Sequence, residues 1–203
     1  MNHLLIKFLA VVSSLVLYCA VGVFEVAADD GASASPKRAE QPAKRGKKIF
    51  RDLGEYTYLL KATESFSPDD KTSVPFYIDK NLQALAIKAA RKAYRNTFSS
   101  ATYTVTEPIK AGKYRLRLVT LGEVDGECNY RVLLNNRVIG EFKNPETNIN
   151  AKEFYFDVAG VSLTPGDELT VQFNAVTNGK IPEKDETAYA RGRWRGLALI
   201  AES

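Results

Sequence analysis

The chain has 203 residues, with 28 basic and 24 acidic side chains, two cysteines and one histidine. This length allows one domain of ordinary size, or one domain and a tail. A hydrophobic content of 45% is normal for a globular protein, so disorder along the whole chain is excluded.

Residues 1–28 have the pattern of a secretory signal peptide. Lys7 precedes an apolar run over residues 8–24, and Val26 and Ala28 place small or β-branched residues before a cleavage point after Ala28. We therefore expect a secreted protein, or one of the periplasm or cell envelope. The alternative is an uncleaved N-terminal anchor, because the run is near the lower length limit of a membrane span.

Cleavage after Ala28 would change the chemistry available to the chain. It would remove His3 and Cys19, leaving no histidine and a single cysteine, Cys128. Ser-His-Asp and Cys-His catalysis need an imidazole base, and common zinc sites need histidine and cysteine ligands, so all three are excluded. Cys128 is predicted to be a buried small hydrophobe, with an intermolecular disulfide as the alternative.

Residues 29–48 are predicted to be a flexible basic linker. This segment has six basic and three acidic residues and no apolar side chain larger than alanine, so it cannot offset the entropy cost of ordering. The remainder of the mature chain has 21 basic and 20 acidic residues. The basic charge therefore belongs mainly to the linker, and we expect no nucleic-acid partner.

Residues 49–203 are predicted to form one domain that begins with a strand and a helix. Strand formers fill residues 56–62. Asp79 is placed to cap a helix from Lys80 to about Asn96, which has an apolar stripe of leucine and alanine and a basic opposite face. That basic face suits anionic partners, but it is also typical of the solvated side of a packed helix.

The rest of the domain alternates between apolar and polar residues with the period of β-strands. Asn135 and Asn136 separate two such runs, and asparagine tolerates positive φ, which predicts a tight hairpin. The last strand, near residues 193–200, is apolar to its end and should pair deep in a sheet. Strands separated by frequent turns predict a mainly β fold, an antiparallel β-sandwich of the jelly-roll kind with one N-terminal helix. The predicted strands cover residues 101–105, 114–118, 130–134, 138–142, 154–158, 169–173 and 193–200.

Four motifs in this order resemble galactose-binding-like β-jelly-roll domains of secreted bacterial proteins. They are Lys-Ala-Gly-Lys-Tyr at residues 110–114, the strand–Asn–strand hairpin at 130–140, Leu-Thr-Pro-Gly-Asp at 163–167, and the closing stretch at 178–195. This superfamily includes many carbohydrate-binding modules. The resemblance implies ligand binding rather than catalysis, although a fold alone does not establish a function.

The stretch from Tyr189 to Arg195 is the main candidate for ligand binding. Tyrosine and tryptophan rings can stack on sugar faces, and arginine supplies several hydrogen-bond donors. The candidates are Tyr189, Arg191, Arg193 and Trp194. Strand alternation places Trp194 opposite the arginines, so the alternative is a core tryptophan with arginines paired to acids such as Asp185 or Glu186.

The loop that follows the strand ending near Phe173 adds three polar candidates: Asn174, Asn178 and Lys180. Loops at one end of a sandwich commonly build binding sites. The alternative for Asn178, which precedes a glycine, is a simple turn.

An acidic loop supplies the candidate metal ligands, Glu123, Asp125 and Glu127. Calcium prefers several oxygen ligands, so these three carboxylates are candidates for a structural calcium site, with a solvated acidic turn as the alternative. Glu123 and Glu127 are also the candidate pair for a carboxylate-based glycoside hydrolase.

These patterns together predict an exported, non-catalytic, carbohydrate-binding-like module whose partner is a polysaccharide or another glycan. Two alternatives come from other classes of function. One is a structural or adhesion module that binds another envelope protein, which a large exposed apolar patch would favour. The other is the carboxylate-based hydrolase, which two carboxyl groups facing each other across a pocket would favour.

Overall fold

The computed structural model describes residues 49–69, 74–89, 91–184 and 186–203. All of them fall within one compact unit, Gly46–Ser203. The predicted signal peptide (1–28) and linker (29–48) lie outside the described residues. Within the described ranges, no helix has the length and apolar character needed to cross a membrane.

Antiparallel strands dominate the described residues. In chain order they are β1 Tyr58–Lys61, β2 Ser67–Pro68, β3 Phe76–Asp79, β4 Ala84–Ile87, β5 Phe98–Thr104, β6 Gly112–Gly122, β7 Asn129–Leu134, β8 Arg137–Lys143, β9 Lys152–Leu163, β10 Glu168–Asn174, β11 Pro182–Glu183, β12 Glu186–Thr187 and β13 Trp194–Ala201. A 3₁₀ turn spans Lys92–Tyr94.

The strands form two main sheets that face each other. In the part of the chain described, the six-stranded sheet has the order β3-β4-β13-β6-β9, with β1 also paired to β13, and the five-stranded sheet has the order β2-β5-β10-β7-β8. From β5 onward the chain passes repeatedly from one sheet to the other. The predicted antiparallel sandwich is therefore confirmed.

The last strand, β13, lies inside the six-stranded sheet, as predicted. It pairs with β6 along one side, and with β1 and the end of β4 along the other. Trp194, Leu197 and Leu199 point into the space between the sheets and are fully buried. A central strand must be apolar on its inner face, which explains why this segment is hydrophobic to its end.

Aromatic rings from both sheets meet at Trp194. Its ring packs edge-on against Phe66 at a centroid distance of 4.9 Å and against Phe173 at 5.9 Å. Tilted aromatic pairs at these distances add to the stabilisation from buried area. Trp194 is thus the centre of the sandwich core.

The predicted helix from Lys80 to Asn96 is wrong. Among the described residues of this segment, the structure places β4 at Ala84–Ile87 and the 3₁₀ turn at Lys92–Tyr94. All four residues of β4 are buried, so the run is apolar on both faces and mimics the apolar stripe of a helix. Asp79 does accept a hydrogen bond from the backbone N–H of Leu82 at 3.1 Å, but it closes the turn between β3 and β4.

The predicted hairpin at Asn135 and Asn136 is confirmed. These residues have φ values of 49° and 65° and join β7 to β8, with Leu134 opposite Arg137. The Asn135 side chain also donates to Asp167 at 2.8 Å and accepts from the backbone N–H of Glu168 at 2.9 Å. One asparagine therefore ties the hairpin to the start of β10.

Gly192 lies just before β13, where the backbone of another strand approaches it closely. Its φ is +60°, and a Cβ there would lie 2.4 Å from the carbonyl oxygen of Asn174. We expect Gly192→Ala to lower the free energy of unfolding by about 2–5 kcal/mol, from backbone strain and overpacking together. Urea unfolding followed by circular dichroism measures it.

Gly166 is the matched control, because its φ is +96° and a Cβ there would meet no described atom within 4 Å. Gly166→Ala should cost only the strain of positive φ, about 1–2 kcal/mol. Equal losses for the two variants would contradict the close approach at Gly192.

Candidate functional site

The structure corrects the role predicted for Trp194. Its side chain is 0% exposed, so its ring is not available to stack on a sugar. The alternative interpretation from the sequence, a core tryptophan, describes this residue, but Arg193 pairs with Asp79 and Glu123, and Glu186 pairs with Lys92 and Arg95. The indole N–H has no hydrogen-bond acceptor among the described residues.

Arg193 belongs to a largely buried network of charges, in which the side chains of Glu123, Arg193 and Asp79 are 4%, 13% and 15% exposed. Its Nε lies 3.0 Å from Asp79 Oδ2, one Nη donates to Glu123, and the other lies 3.3 Å from the Tyr77 hydroxyl. Glu123 also accepts the backbone N–H of Arg191 at 2.7 Å. Burial raises the pKa of the Glu123 carboxyl, and the charge of Arg193 opposes that rise. Arg193 therefore joins β3, the loop after β6 and the start of β13, and it does not face solvent as a free ligand-binding group.

A second buried pair, Arg195 with Glu153, lies further along β13. Arg195 Nε also donates to the carbonyl of Leu82 at 2.8 Å, and Glu153 accepts the backbone N–H of Phe50 at 2.8 Å. The pair forms part of the wall of a cavity of about 410 Å³ that is also lined by Ile149. These contacts secure the backbone at Phe50 and at Leu82 to β9 and β13 of the six-stranded sheet.

Tyr189 and Arg191 remain at the surface, half-buried, close to the 3₁₀ turn. The guanidinium carbon of Arg95 lies 4.6 Å from the centre of the Tyr189 ring, and that of Arg191 lies 5.4 Å from it. Glu186 pairs with Arg95 at 2.9 Å and with Lys92 at 3.4 Å. We call Lys92, Arg95, Glu186, Tyr189 and Arg191 the Tyr189 cluster.

The environment of Arg191 favours its charged form. Burial lowers the pKa of its guanidinium, but Tyr77, Tyr189 and Glu123 raise it by more, so the net shift is upward. Arg191 is therefore a permanent cation beside an aromatic ring.

Asn178 and Lys180 hold loops together. The Asn178 side chain donates to the carbonyl of Val124 at 3.0 Å, and its backbone N–H donates to the carbonyl of Asp125 at 2.9 Å. Lys180 pairs with Glu146 on the surface. The hydrogen bond from Lys180 and its charge lower the pKa of the Glu146 carboxyl. A ligand role for Asn178 and Lys180 stays a prediction.

The acidic loop does not have the arrangement expected of a calcium site. Glu123 is buried and bound by Arg193, whereas Asp125 and Glu127 are half-buried. Across the described ranges, no group of three acidic, histidine or cysteine side chains is placed to hold a metal ion. The three predicted ligands therefore do not fit a shared cation in this structure. Cys128, at the end of the loop, is buried as predicted.

Asn174 lies at a groove on the outer surface of the five-stranded sheet. Its Oδ1 accepts the backbone N–H of Asn129 at 2.8 Å, and its Cα partner on β5 is Phe98. The groove has a volume of about 380 Å³. We call it the Phe98 groove, and it is lined by Phe98, Asn129, Tyr130, Arg131, Glu141, Phe142, Lys143 and Asn174.

Arg131 lines the Phe98 groove and contacts two of the other residues in its wall. Its guanidinium carbon lies 4.3 Å from the centre of the Phe98 ring, and its Nε lies 2.7 Å from Glu141. The side chains of Asn129 and Lys143 form no hydrogen bond or ion pair with any described residue, so their donors are free for a ligand. The groove thus combines the Phe98 ring with the free polar side chains of Asn129 and Lys143.

Sequence reasoning found Asn174 but missed Phe98, Asn129 and Arg131. The available signal was the alternation in β5, β7 and β10, which predicts one inward and one outward face for each strand. It did not show which strands are neighbours, and the Phe98 groove is built from strands that are distant in sequence.

No protein-family model matches the chain. The chain is 27% identical over 105 residues to "Uncharacterized protein P23" of Formosa agariphila, a match covering 50% of this chain and 24% of that protein. The chain therefore spans about a quarter of the length of this curated relative.

Solved structures similar to the chain include carbohydrate-binding modules, the kind of jelly-roll domain that the sequence resembles. One is the CBM36-1 domain of a multidomain xylanase from the hindgut metagenome of Trinervitermes trinervoides (TM-score 0.44, 10% identity, covering 72% of this chain and 98% of that one). Another is CsCBM6-3 of Clostridium stercorarium in complex with cellobiose (TM-score 0.44, 9% identity, covering 71% and 94%).

The structural role of Arg193 is directly testable. Arg193→Ala would leave the buried carboxylate of Glu123, and the partly buried one of Asp79, without their cation, so we expect a loss of about 3–5 kcal/mol of unfolding free energy. Arg115→Ala is the control, because Arg115 is exposed and pairs with Glu202 on the surface, where ion pairs contribute about 1 kcal/mol or less. Urea unfolding measures the free energy of unfolding of both variants. Similarly small losses for the two variants would show that Arg193 is no more important to stability than an exposed surface arginine.

Proposed function

We propose that the protein is an exported, non-catalytic module that binds a glycan in the Phe98 groove. The observation that carries the proposal is the combination of the Phe98 ring, the Arg131 guanidinium and the free side-chain amide of Asn129 in one groove of about 380 Å³. Apolar rings with a few placed polar groups are typical of ligand sites.

The chemistry of the groove suits sugar hydroxyl groups. Amide groups both donate and accept hydrogen bonds, and a hydroxyl group can do the same. Arg131 and Lys143 add charged donors, which form stronger hydrogen bonds than neutral ones. A sugar ring would pack against the Phe98–Arg131 pair while its hydroxyls bond to Asn129 and Lys143.

The alternative functions have weaker support. A hydrolase based on Glu123 and Glu127 would need both carboxyl groups at a cleft, whereas Glu123 is bound by Arg193 and by the N–H of Arg191. One large exposed apolar patch would favour an adhesion module, whereas only four large apolar side chains among the described residues are exposed. These side chains are Tyr56, Ile78, Val138 and Ile149.

Arg131→Ala tests the proposal most directly. We expect it to lower the affinity for the glycan that binds by at least about tenfold, because a charge-assisted hydrogen bond and a stacking surface are both removed. Affinity electrophoresis against a panel of soluble neutral and acidic polysaccharides identifies the ligand, and isothermal titration calorimetry measures the affinities.

The control variant is Arg115→Ala. Arg115 has an exposure close to that of Arg131 (44% against 40%) and also pairs with a glutamate, but it lies on the six-stranded sheet. It should bind as wild type does. Retention of no polysaccharide by the wild type, or equal affinity for both variants, would overturn the proposal.

A further inference from the structure

The Tyr189 cluster has more cationic groups than carboxylates. Its one acid, Glu186, is shared between Lys92 at 3.4 Å and Arg95 at 2.9 Å. Arg191 forms no ion pair with any described carboxylate. Glu123 also lies near Arg191, but the side chain of Arg193 binds it. Among the described residues, the cluster therefore has three cations and a single carboxylate, and two of the cations, Arg95 and Arg191, lie against the Tyr189 ring.

Arg95 is fixed in place and has a donor without an acceptor. Its side chain is only 9% exposed, and its guanidinium stacks on the Tyr189 ring. Its Nε is buried and has no hydrogen-bond acceptor among the described residues. Buried donors of native proteins nearly always have partners, so this orphaned donor marks an incomplete polar site.

The cluster lies beside the Phe98 groove along two chain segments. Arg95 forms a β-bridge with Ala175, and Phe98 pairs with the adjacent residue, Asn174. Arg95 and Phe98 are three residues apart, so at most roughly 10 Å of chain separates them, and the turn at Asn96, whose φ is 64°, brings them closer. One extended ligand is therefore long enough to contact both surfaces.

We propose that the Tyr189 cluster binds an anionic substituent of an acidic glycan, either a carboxylate or a sulfate ester. This inference rests on the proposed function, because it assumes that the ligand of the neighbouring groove is a glycan. Arginine suits both anions because its planar fork donates two parallel hydrogen bonds to adjacent oxygens. Arg191 and Lys92 provide the accessible charge, and Arg95 packs on the Tyr189 ring beside Arg191.

The test compares three probes that share one backbone: dextran, carboxymethyl-dextran and dextran sulfate. Affinity electrophoresis of the full chain should show stronger retention by at least one charged dextran than by dextran itself. Arg191→Gln should weaken that retention at least about tenfold, and Lys92→Gln should weaken it in the same direction, because each removes one charged donor. Lys92 is 72% exposed, so its variant keeps the fold intact.

Two further variants separate a local site from general attraction between charges. Arg191→Lys keeps the charge and should retain part of the binding, whereas Arg115→Gln removes an arginine beside the far end of β13 and should bind as wild type does. The carboxymethyl and sulfate arms identify which anion is preferred. Binding by Arg191→Gln and Lys92→Gln equal to that of Arg115→Gln, or no preference for either charged dextran, would overturn the inference.

The outcome is distinguishable from failure of the proposed function. If binding of a neutral polysaccharide is lost in the Arg131 variant, but binding of the charged dextrans is unchanged in the Arg191 variant, the groove is supported and the anion site is rejected. If binding of the charged dextrans is lost in the Arg191 variant but unchanged in the Arg131 variant, the groove is rejected and the anion site is supported.

Discussion

The ion pairs of Arg193 with Glu123 and Asp79 hold the entry to the central strand β13 in place. An isolated charge in a protein interior is strongly unfavourable, so each of these groups needs its partners in place. The network brings the end of β3 and the loop after β6 to the entry of β13. The backbone carbonyl of Arg193 also accepts from the Tyr130 hydroxyl of the opposite sheet at 3.0 Å, so this one position is tied to both layers of the sandwich.

This constraint divides the aromatic and arginine residues into two sets. Trp194 and Arg193 are held inside, where they build the core and close the end of the sandwich. Phe98 and Tyr189 remain near the surface, and each lies close to an arginine guanidinium. Both sets combine aromatic and arginine side chains, but the aromatic rings of the second set are only partly buried.

The sequence predicts most strands well because their alternation follows from burial of one face. It fails at β4, where all four residues are buried and the pattern has no period of two. The stretch from Tyr189 to Arg195 stands out in the sequence, but burial of Trp194 depends on Phe66 and Phe173, which are distant in the chain. The Phe98 groove could not be predicted from the sequence either, because strand order and register determine which side chains are neighbours.

In the proposed mode of binding, the ligand contacts the outer face of the five-stranded sheet and its adjoining loops, while Arg193, Arg195 and Trp194 are structural. Chemical-shift mapping by NMR, with the polysaccharide fragment retained by the wild type, tests this claim most directly. We expect the largest amide shifts at Phe98, Asn129, Arg131 and Asn174, and an unchanged indole N–H signal from Trp194. Shifts concentrated on the Trp194 indole, with residues 98 and 129–131 unchanged, would contradict it.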